Sequence, residues 1–305
     1  MAGDRDCRVT GVPPILVTGA TGTTGTHLVR ELLDAGAPVR VAARDPERAL
    51  AELRSGLALA PDAELQAVRF DFADPSSATV FDGVERCFLL RPPAISDVKG
   101  VIAPMLDAAA ERGVRHVVFL SIQGAERNVL APHHRIEAAL RARPLEWTFV
   151  RASYFMQNLS TTHAADVREH DEVFVPAGRR SRTAHVDARD VAAVAARALL
   201  EDGHAGRAYE PTGPAALTYD ECAQAITAAV RRPVRYADPA VWTYWRRMRS
   251  RGMPAAMVGV TLGIYTAARL GMAARTTDDV ERVTGRQPIA FEAFARDHAA
   301  AWAGA

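Results

Sequence analysis

The feature that most constrains the fold is a glycine-rich segment directly after a short apolar run. The run ILVT (15–18) has the composition of a buried strand, and VTGATGTTG (17–25) follows with glycines spaced three apart at Gly19, Gly22 and Gly25. A helical pattern over 24–35 comes next. A strand, a glycine turn and a helix in this order predict the start of a βαβ unit.

The same alternation continues through the first half of the chain. Short β-branched runs separated by amphipathic helices of this length are typical of βαβ units in a parallel sheet. We therefore predict an α/β fold with a doubly wound parallel sheet of the Rossmann type. The further strands are predicted at 39–43, 65–70, 86–90, 116–121 and 147–151, with helices at 46–54, 98–112 and 132–142.

The alternation breaks down after residue 151. We predict two regions, a sheet domain over 1–151 and a smaller, mostly helical substrate-side region over 152–305. No clean linker separates them, so about 183–211 is expected to thread back into the sheet. The elements expected in this region are helices at 154–168, 189–201 and 219–231, strands at 173–175, 183–187, 208–211 and 234–238, and three more helices to the C-terminus, one over the apolar stretch 255–268.

Composition excludes several classes of partner. The 305 residues are 49% hydrophobic and 24% charged with a net charge of +1, so no overall field favours nucleic acid or an anionic membrane. Cys7, Cys87 and Cys222 lack metal-site spacing, which argues against a zinc site and for a reducing cytoplasm. The N-terminal MAGDRDCR has no apolar signal-peptide core. We expect a cytoplasmic monomer or homodimer.

The glycine segment has the chemistry of a pyrophosphate site. Gly19 would make the turn, Gly22 would let the backbone approach a phosphate, and Gly25 would pack the helix on the strand. The helix N-terminus offers unpaired N–H groups and partial positive charge. The hydroxyls of Thr21, Thr23 and Thr24 would add donors. The alternative is a glycine turn needed only for packing.

The end of the second predicted strand indicates which nucleotide is bound. In NAD-binding sheets an acidic residue there binds the ribose 2′-hydroxyl, whereas arginine accommodates a 2′-phosphate. This strand ends in Arg44, with Arg48 a helical turn later, so NADP(H) is favoured over NAD(H). Asp45 is the counter-evidence, since a shift of one residue would place a carboxylate at the ribose. The alternative interpretation of Arg44 is a solvated strand end.

The third and fourth strands end in further cofactor-binding candidates. Asp71 and Phe72 follow the third strand and would meet the adenine. Asp71 could also cap a helix, and the two roles are compatible. Leu90 and Arg91 stand at the end of the fourth strand and complete the predicted cofactor set.

The chain resembles the NmrA-like branch of the atypical short-chain dehydrogenase/reductase family over nearly its whole length. The segments that carry the resemblance are VTGATGTTG (17–25), the strand end at Arg44, 116–126, 133–141, 150–158 and 277–298. The resemblance implies an NAD(P)-binding Rossmann domain with a substrate cleft above the carboxyl ends of the strands. Members of the family include quinone reductases, reductases of secondary metabolites, and redox sensors that bind the cofactor without turning it over.

The proton donor that the resemblance implies is missing. Short-chain dehydrogenases use a Tyr-x-x-x-Lys pair, but no tyrosine here has a lysine four residues on, and Lys99 is the only lysine. Ser121 stands where the family carries its serine, and His133 and His134 stand where related reductases carry a tyrosine or lysine. We name Ser121, His133 and Tyr154 as catalytic candidates; the alternative for the histidines is a solvated helix start.

The substrate candidates follow the neighbouring strands. RASYFMQN (151–158) would line the crevice with an apolar wall and an amide, although Phe155 and Met156 could equally be core residues. The segment 242–253 mixes aromatic residues with arginines, and we interpret it as a lid or wall, or as a packed helix with a basic face, rather than as a site for single-stranded nucleic acid. The predicted substrate residues are Pro92, Gln123, Phe155, Met156, Asn158 and Trp242.

Three functions fit these residues. The leading hypothesis is an oxidoreductase in which NADPH delivers hydride to an apolar conjugated molecule, such as a quinone, enone or iminium, which needs no strong acid. A sensor of NADP(H) without turnover fits the missing Tyr–Lys pair equally well. A non-redox cyclase or isomerase on the same fold is the third possibility.

Overall fold

The computed structural model describes residues 11–60 and 62–303, so the predictions about the N-terminal segment and Cys7 lie outside the described residues. The chain divides into two compact units. Unit 1 runs to Arg151 and takes in Ala192–Tyr209, and unit 2 comprises Ala152–Val191 and Glu210–Ala305. The units are described separately below.

Unit 1 contains a seven-stranded sheet with the strand order β10-β6-β5-β4-β1-β2-β3. The first six strands therefore follow the order 3-2-1-4-5-6 of a Rossmann sheet, which confirms the predicted fold class. The strands are β1 (Ile15–Thr18), β2 (Val39–Ala43), β3 (Leu65–Arg69), β4 (Arg86–Leu89), β5 (His116–Ile122), β6 (Glu146–Ala152) and β10 (Arg207–Tyr209).

The parallel pairing brings the ends of these strands to one edge. Thr18 of β1 pairs with Ala42 of β2, and Leu89 of β4 pairs with Phe119 of β5. All four residues of β1 are buried, as expected for a central parallel strand. The loops after β1 to β5 therefore leave the sheet at its carboxyl edge, where ligands bind in sheets of this type.

Helices follow the strands of unit 1 as predicted. Their apolar faces pack on the sheet around a core that includes Leu16, Phe88, Leu106 and Phe119. The helix predicted at 98–112 begins with a wider turn, a π-helix over Val98–Ile102, and a 3-10 helix over Pro75–Phe81 follows β3. The α-helices are α1 (Thr23–Asp34), α2 (Pro46–Gly56), α3 (Ala103–Glu111) and α4 (Pro132–Arg141).

Unit 2 combines two small sheets with helices. One sheet has the order β11-β9-β7 and the other pairs β12 with β8. Its strands are β7 (Tyr154–Phe155), β8 (Glu172–Val173), β9 (Thr183–Val186), β11 (Ala216–Leu217) and β12 (Arg235–Tyr236). Its helices are α5 (Gln157–Ser160), α6 (Ala164–His170), α8 (Tyr219–Val230), α9 (Val241–Ser250), α10 (Ala255–Arg269), α11 (Asp279–Thr284), α12 (Phe291–Asp297) and α13 (Ala299–Trp302), while α7 (Ala188–Leu200) begins in unit 2 and ends in unit 1.

Two expectations for this half of the chain were wrong. The single helix predicted at 154–168 is a short strand followed by two short helices, because Tyr154 and Phe155 pair with His185 and Val186 of β9. Up to residue 303, where the described part of the chain ends, five helices rather than three follow β12.

Helix α10 is apolar in sequence, but only its residues Val258, Tyr265 and Ala268 are buried. Among the residues described, no helix combines the length and the apolar character needed to cross a membrane.

Candidate functional site

The loop between β1 and α1 places its three glycines in positions that need them. Gly19 has a φ of +65°, and a Cβ there would lie 3.1 Å from Leu90 Cδ2. A Cβ on Gly25 would lie 2.1 Å from the Gly19 carbonyl oxygen and 2.7 Å from Ala20 Cα. The side-chain-free backbone of this turn is therefore a steric requirement of the fold.

The start of α1 fits an anionic ligand. Gly22 is the N-cap residue and provides no side-chain cap, so no side chain takes the first-turn N–H groups. Thr21, Gly22 and Thr23 are exposed, whereas Thr24 and Gly25 are buried. An exposed glycine at an uncapped helix N-terminus is the cradle that a pyrophosphate occupies in dinucleotide-binding sheets.

Arg44 follows directly after β2 and is exposed, with no hydrogen bond or ion pair to any residue that the structure describes. Arg48, by contrast, donates from Nε to Glu52 Oε1 at 2.8 Å. Asp45 is the N-cap of α2, and its Oδ1 accepts from the Arg48 backbone N–H at 3.1 Å. The Asp45 carboxylate therefore caps α2. Of the two arginines near this strand end, Arg44 is the one whose guanidinium is not already bound to a carboxylate.

The residues after β3 form a turn. Asp71 Oδ1 accepts from the Ala73 N–H at 3.0 Å, and Phe72 packs edge-on against Phe70. The N-cap of the following 3-10 helix is Asp74, whose side chain accepts from the Ser76 N–H. The suggestion that Asp71 caps a helix was therefore wrong, because Asp74 holds that position.

The loop after β4 is held by Arg91. Its Nη1 donates to the carbonyls of Pro92, Pro93 and Ile95 at 2.9, 3.0 and 2.7 Å. Its Nε is buried without a hydrogen-bond partner among the described residues. The preceding Leu90 N–H donates to Thr18 Oγ1 at 2.8 Å, which ties the ends of β4 and β1 together. Arg91 thus shapes this loop, and its contact with a cofactor stays a prediction.

Ser121 lies inside a buried polar network at the end of β5. It is 1% exposed, and its Oγ donates to Glu137 Oε1 at 2.7 Å. Arg151 of β6 binds the same carboxylate through two parallel bonds, Nε to Oε1 at 2.9 Å and Nη2 to Oε2 at 2.7 Å. Because its proton is committed to Glu137, Ser121 is not poised to protonate a substrate. Arg151 Nη1 also forms an ion pair with Glu126 at 3.1 Å.

His133, on the first turn of α4, is half-buried and stacks on Phe119 with ring centroids 6.0 Å apart. The pKa of His133 is lowered to about 4, mainly by burial and also by nearby Arg91, while Glu137 opposes the shift. The imidazole is neutral at pH 7, so it can exchange hydrogen bonds with a ligand but is not a ready imidazolium acid. His134 instead contacts the Ala125 carbonyl through Nδ1 at 2.9 Å.

In unit 2, Tyr154 is half-buried in β7, and its hydroxyl donates to the Ile264 carbonyl of α10 at 3.1 Å. Burial raises the pKa of Tyr154 to about 12. The phenol therefore keeps its proton at neutral pH and already has an acceptor for it.

The other candidates of unit 2 differ in exposure. Met156 is buried in the core of the unit, so it is a core residue and not part of a substrate wall. Phe155 is half-buried. Asn158 is exposed; its neighbour Gln157 is buried and donates to Asp187 Oδ1 at 3.0 Å. Trp242 is 69% exposed.

Five apolar side chains of α9 and α10 are exposed. They are Val241 and Trp242 on α9 with Met257, Val260 and Ile264 on α10. A Cβ built on Gly259 or Gly263 would meet nothing within 4 Å. These two glycines therefore do not pack closely against another helix in the part of the chain that the structure describes.

The predicted residues thus fall into two groups. Those of unit 1 follow β1 to β5 at the carboxyl edge of its sheet, with Gln123 half-buried beyond β5 and His133 at the start of α4. The buried Glu137 and Arg151 escaped sequence reasoning. A signal for them existed, because Glu137 sits on the apolar face of α4 beside Ile136 and Leu140, and Arg151 interrupts an apolar strand. Opposite charges at two buried positions predict that they pair.

The chain is similar to known proteins in both sequence and structure. An NAD(P)H azoreductase from Xenophilus azovorans is 34% identical over 301 residues, which covers 95% of this chain and 100% of the relative. A (4-alkanoyl-5-oxo-2,5-dihydrofuran-3-yl)methyl phosphate reductase from Streptomyces griseus subsp. griseus is 35% identical over 295 residues, covering 95% and 99%.

Among solved structures, the NADPH-dependent quinone oxidoreductase from Escherichia coli complexed with NADPH superposes with a TM-score of 0.81. It is 23% identical and covers 93% of this chain and 99% of its own, a likeness that shows the fold. The sequence profile of the NmrA-like family matches residues 13–267. With that match over most of the chain and two relatives above 30% identity, the chain belongs to the NmrA-like family.

Proposed function

We propose that this protein is an NADPH-dependent oxidoreductase that delivers hydride to an apolar conjugated small molecule such as a quinone, enone or iminium. The observation that carries the proposal is the cradle at the start of α1, where Gly25 leaves no room for a Cβ and Gly22 leaves the helix uncapped. The relatives at 34% and 35% identity, named as an NAD(P)H azoreductase and a reductase, support the reaction class.

The residues of unit 1 fit NADP(H) in their chemistry. The first-turn N–H groups of α1 would hold the pyrophosphate, and the exposed guanidinium of Arg44 would bind the 2′-phosphate. Asp45, which would oppose that phosphate, is turned to the Arg48 N–H as a helix cap. NADPH, when bound, would supply the hydride.

The chain's own proton donors limit the acceptors that suit it. Ser121 is committed to Glu137, His133 is neutral at pH 7, and Tyr154 is a weak acid that donates to Ile264. None of the three is a ready acid at neutral pH. An iminium becomes neutral on hydride addition and needs no proton, and a quinone can draw its protons from water. An isolated ketone, which needs an acid in the transition state, is the poorest substrate.

Turnover distinguishes this proposal from the alternatives. Purified protein with NADPH should lose absorbance at 340 nm when a quinone or an iminium is added, and should lose much less with a simple ketone. Tight binding of NADPH with no consumption across the panel would instead favour a sensor of NADP(H). Conversion of a substrate with NADPH unchanged would favour a cyclase or isomerase.

The preference for NADPH is tested by reversing the charge at β2. Arg44→Asp should weaken NADPH binding roughly 10- to 100-fold, because a charge-assisted pair is replaced by repulsion, while NADH binding changes little. Titration of protein fluorescence with each nucleotide measures both constants. Arg207→Asp is the matched control, since this exposed arginine begins β10 at the opposite edge of the sheet. Equal losses for NADPH and NADH would refute the role of Arg44.

A further inference from the structure

The segment 239–277 of unit 2 carries positive charge without negative charge. Between Asp238 and Asp278 the sequence has no aspartate or glutamate, but it has six arginines: Arg246, Arg247, Arg249, Arg251, Arg269 and Arg275. The net charge of +1 belongs to the chain as a whole, so the rest of the chain carries a net charge of −5. A nearly neutral protein therefore contains one strongly basic segment, and that segment includes α9 and α10.

Half of this positive charge is not neutralised within the protein. Three of the six arginines are paired with carboxylates elsewhere in unit 2. Arg246 and Arg269 are exposed and have no hydrogen bond or ion pair to any residue that the structure describes. Arg249 is also exposed, and its Nη1 donates to the uncharged carbonyl of Met253 at 2.6 Å. Three guanidinium groups are therefore available to an anionic partner.

Helices α9 and α10 pack against each other and against the core of unit 2. The Tyr244 hydroxyl donates to Thr261 Oγ1 at 3.4 Å, and the rings of Tyr244 and Tyr265 lie 5.8 Å apart. Both tyrosines belong to the buried core of the unit. The exposed faces of the two helices therefore point away from that core.

These exposed faces combine positive charge with large apolar side chains. On α9, the exposed Trp242 and Arg246 are four residues apart and so are neighbours on one face of the helix. Helix α10 has no charged residue before Arg269, its last, and three of its large apolar side chains are exposed. Leu270 and Met272, which follow α10 directly, are 72% and 71% exposed.

We propose that the exposed faces of α9 and α10 bind the surface of an anionic lipid bilayer. Such a bilayer offers both groups that these faces require, because anionic headgroups attract arginines and the acyl boundary beneath them accepts apolar side chains. Helices that lie in this interface carry arginine or lysine together with tryptophan and aliphatic residues. Trp242 beside Arg246 and the aliphatic face of α10 have this composition.

Other occupants fit these faces less well. In a two-fold interface between two copies, the same residues would lie on both sides. Arg246, Arg249 and Arg269 of one copy would then approach those of the other, and the segment has no carboxylate to pair with them. A nucleic acid would satisfy the arginines, but its phosphates offer nothing to the exposed Val260 and Ile264.

The charge contribution is tested by sedimentation of the full chain with lipid vesicles. Vesicles of phosphatidylcholine with about one third phosphatidylglycerol should bind the protein, and pure phosphatidylcholine should bind it much less. Salt at about 1 M should release most of it, because the screening length falls to about 3 Å. Arg246→Gln/Arg249→Gln should weaken binding roughly 25-fold, about fivefold for each charge. Arg296→Gln, at an exposed arginine of α12, is the matched control and should bind as wild type does.

The apolar contribution is tested by Val260→Asp. Val260 is 58% exposed, so the substitution should leave thermal unfolding close to wild type, while binding to the anionic vesicles should weaken roughly tenfold or more. Leu130→Asp, at a residue of unit 1 that is 78% exposed, is the matched control and should not affect binding.

Three results would overturn the proposal. The first is equal binding to anionic vesicles by wild type, the double arginine variant and Val260→Asp. The second is a dimer that Val260→Asp dissociates, without vesicle binding, which would indicate a second copy on these faces. The third is binding to a single-stranded oligonucleotide but not to vesicles. None of these measurements needs NADPH or turnover, so their outcome is independent of the proposed function.

Discussion

Gly25→Ala is expected to abolish measurable NADPH binding or to weaken it by roughly 100-fold or more, equivalent to about 2.7 kcal/mol. The added Cβ would stand 2.1 Å from the Gly19 carbonyl oxygen and 2.8 Å from its carbonyl carbon, both of them backbone atoms that cannot swing aside. Helix α1 must then move away from β1, and the N–H groups of its first turn move with it. Forced overpacking of this kind also costs stability, about 1–3 kcal/mol or more.

Alanine substitutions at two other glycines, where a Cβ meets less obstruction, serve as comparisons for this prediction. A Cβ on Gly22 would lie 3.2 Å from the Gly19 oxygen, a tight contact, so Gly22→Ala should have an intermediate effect. A Cβ on Gly56, at the end of α2, would meet nothing within 4 Å, so Gly56→Ala should leave binding and stability close to wild type. Fluorescence titration with NADPH and urea unfolding measure both quantities. Binding by Gly25→Ala as tight as that of Gly56→Ala would contradict the cradle.

The sheet of unit 1 was predictable because its signals are local. Each strand of the sheet from β1 to β6 is a short, mainly apolar run, and the alternation of strands and helices then leaves few topologies. The glycine cradle was predictable for the same reason, since steric needs of a turn depend on residues only a few positions apart. Gly25 meets Gly19 and Ala20, which are its near neighbours in sequence.

The parts that sequence did not reveal depend on distant partners. Tyr154 and Phe155 were predicted to begin a helix, but they form a strand because their partners in β9, 31 residues further on, offer backbone pairing. Ser121 was named as a catalytic candidate, and only the packing of α4 on β5 shows that its hydroxyl donates a hydrogen bond to Glu137. The neutral state of His133 likewise comes from burial and from Arg91, 42 positions earlier in the chain.

Acid is expected to destabilise the folded protein between about pH 6.5 and pH 4. Burial lowers the pKa of His116, His133, His163 and His185 to about 4 in each case. In the unfolded chain a histidine titrates near 6.5, so between these values the unfolded state binds more protons and the free energy of unfolding falls as the pH falls. Asp190 opposes this, because burial raises its pKa to about 6 and it takes up a proton on acidification in the folded state. Because four histidines oppose one carboxyl group, the free energy of unfolding falls overall as the pH is lowered through this range.

A substitution at His185 tests the contribution of a single buried histidine to this loss of stability in acid. It is buried against Tyr219 and Phe291, and neither ring nitrogen has a hydrogen-bond partner among the described residues. His185→Phe therefore removes a titrating group without breaking a hydrogen bond, and should make the protein more stable than wild type at pH 5 with a smaller difference at pH 7.5. Urea unfolding at both pH values measures this, with His170→Phe as the control at an exposed position. If wild type and His185→Phe lost the same amount of stability between these pH values, His185 would have to be protonated inside the folded protein, and the prediction would be wrong. A protonated ring needs acceptors for both of its N–H groups, and neither ring nitrogen has a hydrogen-bond partner among the described residues.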